Sequence, residues 1–124
     1  MSKLEIGTDI IEISRIDYLR GKYPKFCSRI FTSREIAYCE QKKYPSQHYA
    51  ARFAAKESIL KALGKEDIGS IPLKDLEIIN DPSGKPEVYF YGKARALIQK
   101  KGIKEIKVSL SHSKNYAIAV AQIW

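Results

Sequence analysis

From Leu4 to Ile10 the chain alternates Leu4, Ile6, Thr8 and Ile10 with Glu5, Gly7 and Asp9. That two-residue period predicts a half-buried strand, and it leaves Asp9 on the polar side or at the strand's end. Ser14 is placed to cap a short helix carrying Ile16, Asp17 and Leu19, with Gly21 suited to the left-handed residue past its end. Thr32 and Glu35 have the spacing of a capping box, in which each side chain bonds the other's exposed backbone N–H, so a helix is predicted over Ser33–Gln41. The longest helical pattern runs from Ser46 to Gly64, with Ala50, Ala51, Ala54, Ala55, Leu60, Ala62 and Leu63 as good formers and Gly64 as the stop.

Beyond it, Leu76–Asn80 and Glu87–Tyr91 read as strands joined by Asp81-Pro82-Ser83-Gly84-Lys85-Pro86, whose Pro and Gly form turns, so a hairpin is expected. A helix over about Gly92–Lys101, with Gly102 at its exit, precedes alternating Ile106, Val108 and Leu110 and a closing strand, Tyr116–Ile123. The stretch from Lys65 to Leu73 is the longest irregular piece. Mixed element order with short connections predicts an α+β class: one compact domain over residues 1–124, with a mainly antiparallel sheet packed by one long and several short helices.

Composition narrows the function classes. With 44% hydrophobic and 29% charged residues, neither a disordered nor a fibrous chain fits. Cys27 and Cys39 are too few for a disulfide-stapled scaffold and form no CxxC pair, so reduced structural thiols are expected. No signal core opens the chain and no apolar run approaches the ~20 residues that span a bilayer, which predicts a cytoplasmic protein with no membrane partner. The formal charge of +8 favours polyanionic partners, whether nucleic acid, phosphate-rich cofactor or acidic protein.

Two carboxylates from distant parts of the chain, Asp9 and Glu57, would make a hard-oxygen magnesium site if they converge; otherwise they are a strand end and a surface charge. Magnesium takes one or two protein carboxylates and completes its octahedron with water and phosphate oxygens, so such a site needs a phosphate ligand. Glu57 and Lys61 are four apart on one helix face. As an exposed ion pair they would contribute about 0.3–0.5 kcal/mol; beside a metal, the same lysine would help grip a diphosphate. Arg52, Lys56 and Lys61, with Lys42 and Lys43 upstream, are either a solvated basic face or a phosphate cradle. Ser109-Leu110-Ser111-His112-Ser113 puts hydroxyls and an imidazole at a strand end, without the nearby Asp of a hydrolase triad. His48 reads as packed or solvated, and the eight tyrosines are too scattered for a base-stacking platform.

Ile6-Gly7-Thr8-Asp9-Ile10 to Arg15-Ile16, Phe31-Thr32-x-x-Glu35, Arg52-Phe53-Ala54-Ala55-Lys56-Glu57-x-x-x-Lys61-Ala62, Gly84-Lys85-Pro86 and Ser109-x-Ser-His112 follow one another along the whole chain. In that order they resemble the bacterial holo-[acyl-carrier-protein] synthases, the short class of phosphopantetheinyl transferases. The resemblance implies that Asp9 and Glu57 hold magnesium against the coenzyme A diphosphate and that Lys61 contacts the same phosphates. It places Arg52, Lys56, Gly84, Lys85, Pro86, Ser109, Ser111 and His112 near the coenzyme, with His112 counted among the catalytic residues. It also implies a homotrimer with sites between subunits, because one short chain supplies half of the cleft of double-length relatives. Docking of an acidic carrier protein on the first helix would engage Arg15, which lies in a matched motif; Arg20, Lys22 and Lys25 join it by charge and position. Ser58 stands where alanine is commoner, and the tail ends early at Trp124.

The implied reaction, in fatty acid biosynthesis, is attack of a carrier-protein serine on the β-phosphate of coenzyme A with release of adenosine 3′,5′-bisphosphate. Glu57, a water at the metal, or a group on the carrier are the candidate bases, and Glu57 or the water it orients is favoured. A small basic nucleic-acid-binding domain is the rival reading, but it leaves Asp9, Glu57 and Lys61 unexplained and predicts salt-sensitive nucleic-acid binding instead of coenzyme A binding. A carrier-binding module without catalysis is disfavoured because both carboxylates are present.

Overall fold

An alanine-rich helix has small side chains all round, so other elements can approach its axis from every side. Thirteen of the nineteen residues of helix Pro45–Leu63 are buried, which makes it the centre of the molecule and not a surface layer. Pro45 sits in its first turn, where a missing N–H costs nothing, and Gly64 ends it at φ +121°. The computed structural model describes residues 3–64 and 69–124.

Strand β1 (Glu5–Glu12) leads into α1 (Ile13–Lys22), α2 (Phe26–Ile30), α3 (Ser33–Glu40) and the central α4 (Pro45–Leu63). A 3-10 turn at Leu73–Asp75 opens the hairpin of β2 (Leu76–Asn80) and β3 (Pro86–Phe90), followed by α5 (Gly92–Lys101), β4 (Ile106–His112) and β5 (Tyr116–Ile123). The sheets are antiparallel, one in the order β1-β5-β4 and one formed by β2 and β3. The α+β class, the long helix and the hairpin agree with expectation; the first four residues of the Lys65–Leu73 stretch lie outside the described residues. Among the described residues no helix is long and apolar enough to cross a membrane.

Three local readings are corrected. Ser14 lies inside the first turn of α1 and does not cap it, and Gly21 is helical, with the chain leaving through an extended Tyr23. The short helix α2 has too few residues to show a period. The largest difference is in β1: Ile6 and Ile10 are 61% and 64% exposed, whereas Gly7, Asp9 and Ile11 face α4. Asp9 is therefore in mid-strand on the inner face, and the apolar row of β1 points away from the chain's own core.

Polar groups tie the remaining layers together. The capping box of α3 forms as read, with Thr32 and Glu35 bonded reciprocally. Glu35 is completely buried; it also accepts from the Ile78 amide at 2.9 Å and from Lys56 Nζ at 2.8 Å. Lys56 donates further to the carbonyls of Ile30 and Leu73, both at 3.0 Å, and of Leu76. Burial pulls the Lys56 ammonium below its ordinary pKa while the Glu35 charge opposes the shift. Nearby Glu77 is desolvated by burial yet held ionised below the usual carboxylate range by hydrogen bonds from Arg34, Thr32 and Tyr91. Removing one member of a buried ion pair strands the other in low dielectric. Lys56→Met, which keeps the stem but removes the charge, is expected to destabilise the protein by about 3–5 kcal/mol in urea unfolding.

Candidate active site

The approach of β1 to α4 decides where the candidate chemistry sits. A Cβ on Gly7 would lie 1.9 Å from the Ser58 carbonyl oxygen and 2.8 Å from the Ala62 amide nitrogen, so the strand rests on helix backbone. Asp9 follows two residues on, with the same facing. Its side chain is 17% exposed, and its Oδ1 accepts from Lys61 Nζ at 2.9 Å, which also donates to the Thr8 carbonyl at 2.9 Å. Burial, and next the Asp9 charge, push the Glu57 carboxyl above its ordinary pKa, with Lys61 opposing. Asp9, Glu57 and Lys61 thus converge, although Asp9 and Glu57 are 48 positions apart in sequence.

A divalent cation fits this donor set. Two carboxylates close enough to repel each other at the edge of a helix are what a hard cation neutralises, and magnesium commonly binds through no more than two. Among the described residues no cluster of three His, Cys, Asp or Glu offers a fuller protein cage.

A second group lies elsewhere on α4. The His48 and His112 rings meet edge to face at 5.4 Å, and Tyr38 stands 6.0 Å from His48. The Arg52 guanidinium lies 4.0 Å above the Tyr38 ring centroid and Lys42 Nζ lies 4.5 Å from it. Partial burial, then the positive fields of His112, Arg52 and Lys42, lower the His48 pKa. Arg52 also donates to Asn80 Oδ1 at 2.6 Å, and Asn80 Nδ2 donates to the Gly84 carbonyl at 2.9 Å, so the Gly84-Lys85-Pro86 turn belongs to this group.

The two groups do not meet in one chain. Positions 48 and 57 are about two and a half turns apart, so the pair His48 and Arg52 leaves α4 on the side opposite to Glu57 and Lys61. The strands repeat the separation, since β5 lies between β1, with Asp9, and β4, with His112, putting them roughly 10 Å apart. Ser109 and Ser111 pair with Val120 and Ile118 on the outer face of the sheet, opposite to the face from which His112 meets His48.

Some expected ligands are used by the fold. Lys56 has no exposed side chain and gives its ammonium to four protein acceptors, so it is not part of an open phosphate cradle. Arg52 is only 2% exposed and works from beneath the surface. Arg20 is turned inward: it donates to Ser46 at 2.8 Å and Glu40 at 3.0 Å and stacks on Tyr49, joining α1 to α3 and α4. Arg15, Lys22 and Lys25 are exposed as expected. Lys25 and Arg29 flank a hollow of about 390 Å³ lined by Tyr23, Pro24, Phe26 and Ile30. Tyr38, Asn80 and Arg29 were missed; Tyr38 alone had a readable signal, as an aromatic within helical reach of a basic run.

Comparison with known proteins bears on the family and the fold. A sequence profile of the 4′-phosphopantetheinyl transferase superfamily matches residues 5–121. The chain belongs to this superfamily. Within it, the chain is 47% identical over 115 residues to a holo-[acyl-carrier-protein] synthase of Syntrophus aciditrophicus, covering 92% of this chain and 90% of the relative. Identity to the synthase of Caldanaerobacter subterraneus is 48% over 116 residues, covering 94% and 91%. The crystal structure of the Neisseria meningitidis synthase superposes with a TM-score of 0.85 at 34% identity, covering 97% of each chain. That of the Helicobacter pylori synthase in complex with coenzyme A gives 0.81 at 28% identity, covering 96% of this chain and 99% of that one.

The strand–helix contact yields a paired test. Gly7→Ala is expected to lower the stability of the protein by about 1–3 kcal/mol through backbone overlap. Gly21→Ala, at a helical site with nothing within 4 Å of the added methyl, is expected to raise it by about 0.5–1 kcal/mol. Denaturant midpoints of the two variants check both signs.

Proposed function

We propose that the protein transfers the 4′-phosphopantetheine arm of coenzyme A to a serine of an apo acyl carrier protein in the cytoplasm, as a magnesium-dependent holo-[acyl-carrier-protein] synthase of fatty acid biosynthesis. The observation that carries the reading is the convergence of Asp9, Glu57 and Lys61 on one flank of α4 in a member of this superfamily.

In this reaction the serine oxygen bonds to the β-phosphorus of coenzyme A as the bond from that phosphorus to the bridging oxygen breaks. The leaving group departs as adenosine 3′,5′-bisphosphate. Asp9 and Glu57 would hold magnesium, which when bound supplies positive charge to the diphosphate oxygens. Lys61, fixed by Asp9 and the Thr8 carbonyl, directs its ammonium at charge developing on the leaving side. The serine proton passes to Glu57 or to a water it orients. Arg15, Lys22 and Lys25, with Arg29 beside the apolar hollow, suit an acidic helix with an apolar anchor, which fits a carrier protein better than nucleic acid.

Assembly as a homotrimer would complete the site, with Asp9, Glu57 and Lys61 of one subunit facing His112 and the Gly84 turn of its neighbour. Two features support it: the two groups occupy opposite sides of α4, and Ile6, Ile10, Ile118 and Val120 form an exposed apolar strip on the sheet. A charge in that strip, as in Ile118→Glu, is expected to yield folded monomers with at least 100-fold less activity, a loss of ~3 kcal/mol or more. Light scattering, circular dichroism and transfer rates read it together.

The direct test is mass spectrometry of apo acyl carrier protein incubated with the protein, coenzyme A and magnesium. The expected result is a gain of one phosphopantetheine, lost on chelation and in Asp9→Ala and Glu57→Ala. No gain with several carrier proteins would refute the assignment.

A further inference from the structure

The Gly84-Lys85-Pro86 turn is braced by its own hydrogen bonds and, among the described residues, is linked to Arg52 of α4 by the side chain of Asn80. Inside the turn, Asp81 Oδ1 accepts from the Ser83 amide at 2.9 Å, the Ser83 hydroxyl at 2.6 Å and the Lys85 amide at 3.0 Å. The Asp81 and Gly84 amides donate to the Lys85 and Asp81 carbonyls, both at 2.8 Å, and Gly84 takes the left-handed φ of +91° that glycine permits. None of these bonds relates the turn to α4.

That relation passes through Asn80. Its side-chain oxygen accepts from Arg52 Nη2, and its amide nitrogen donates to the Gly84 carbonyl. A guanidinium has only donors, so Arg52 dictates which end of the Asn80 amide faces it and therefore which end faces the turn. Arg52 is itself fixed by burial and by the Tyr38 ring. The chain of contacts Tyr38, Arg52, Asn80, Gly84 runs from α3 through α4 to the turn.

We propose that Asn80 is a positioning residue for coenzyme A, holding the Gly84-Lys85-Pro86 turn at a fixed distance from α4 through Arg52. The inference rests on the proposed coenzyme A-dependent transfer and adds a residue outside every motif that suggested that activity. Its role is to present the turn and not to react, so its loss weakens coenzyme binding while leaving the chemical step and the carrier surface intact.

The experiment compares the full-length wild type with Asn80→Ala, which loses both bonds, and Asn80→Asp, which keeps an acceptor for Arg52 but loses the donor to Gly84. Steady-state transfer is measured with coenzyme A and with carrier protein varied separately, alongside thermal midpoints. Asn80→Ala is expected to raise the KM for coenzyme A about tenfold, the effect of one lost charged hydrogen bond, with kcat and the KM for carrier within about twofold. Asn80→Asp should fall between it and wild type. An unchanged KM for coenzyme A in both variants overturns the inference. So does a joint fall of kcat, carrier affinity and thermal midpoint in both, which marks a purely structural residue. A wild type without transfer overturns the underlying reading and the inference with it.

Discussion

The contact of β1 with the backbone of α4 at Gly7 is the constraint on which the rest of the architecture depends. A strand can lie directly on a helix only where side chains vanish, and here glycine meets the turn between Ser58 and Ala62. Because facing alternates along a strand, the same contact that seats Gly7 sends Asp9 toward the helix and Ile6 and Ile10 away from it. The carboxylate pair and the exposed apolar strip are therefore two consequences of one packing event.

Charge in this protein divides by position along α4. Lys56 and Lys61 are five residues apart on the same helix, yet one is sealed beneath Glu35 and three carbonyls and the other stands half-exposed at Asp9. The buried lysine satisfies carbonyls at the start of the hairpin and at the end of α2, a structural task that needs a long donor with three protons. The exposed one keeps its ammonium at the rim, paired with Asp9 and partly open to solvent. Arg20 and Arg15 divide in the same way on α1. A basic residue in a motif is thus no measure of basic surface, and the net charge of +8 overstates the cations available to a partner.

Separation of the candidate residues onto opposite sides of α4 gives the homotrimer reading its physical content. One chain has the carboxylates and Lys61 at the β1 edge, and the imidazoles and the glycine turn toward the β4 edge. In the proposed assembly a second copy would bring the two groups together, with the exposed apolar strip on the sheet as the contact surface.

By itself the sequence determined the order of the elements other than α2, the capping box at Thr32 and Glu35, the length of α4 and the ordered motifs that tie the chain to its superfamily. These features depend on near neighbours in the chain: periodicity, cap chemistry and turn residues act over a few positions, so they can be read locally. Only the tertiary structure decided which face of β1 is inside, that Lys56 and Arg20 serve the fold, that Asn80 holds the glycine turn and that His112 lies apart from Asp9. Each of those outcomes depends on which atoms occupy the space opposite a residue, and alternation along a strand is the same pattern whichever face the helix covers.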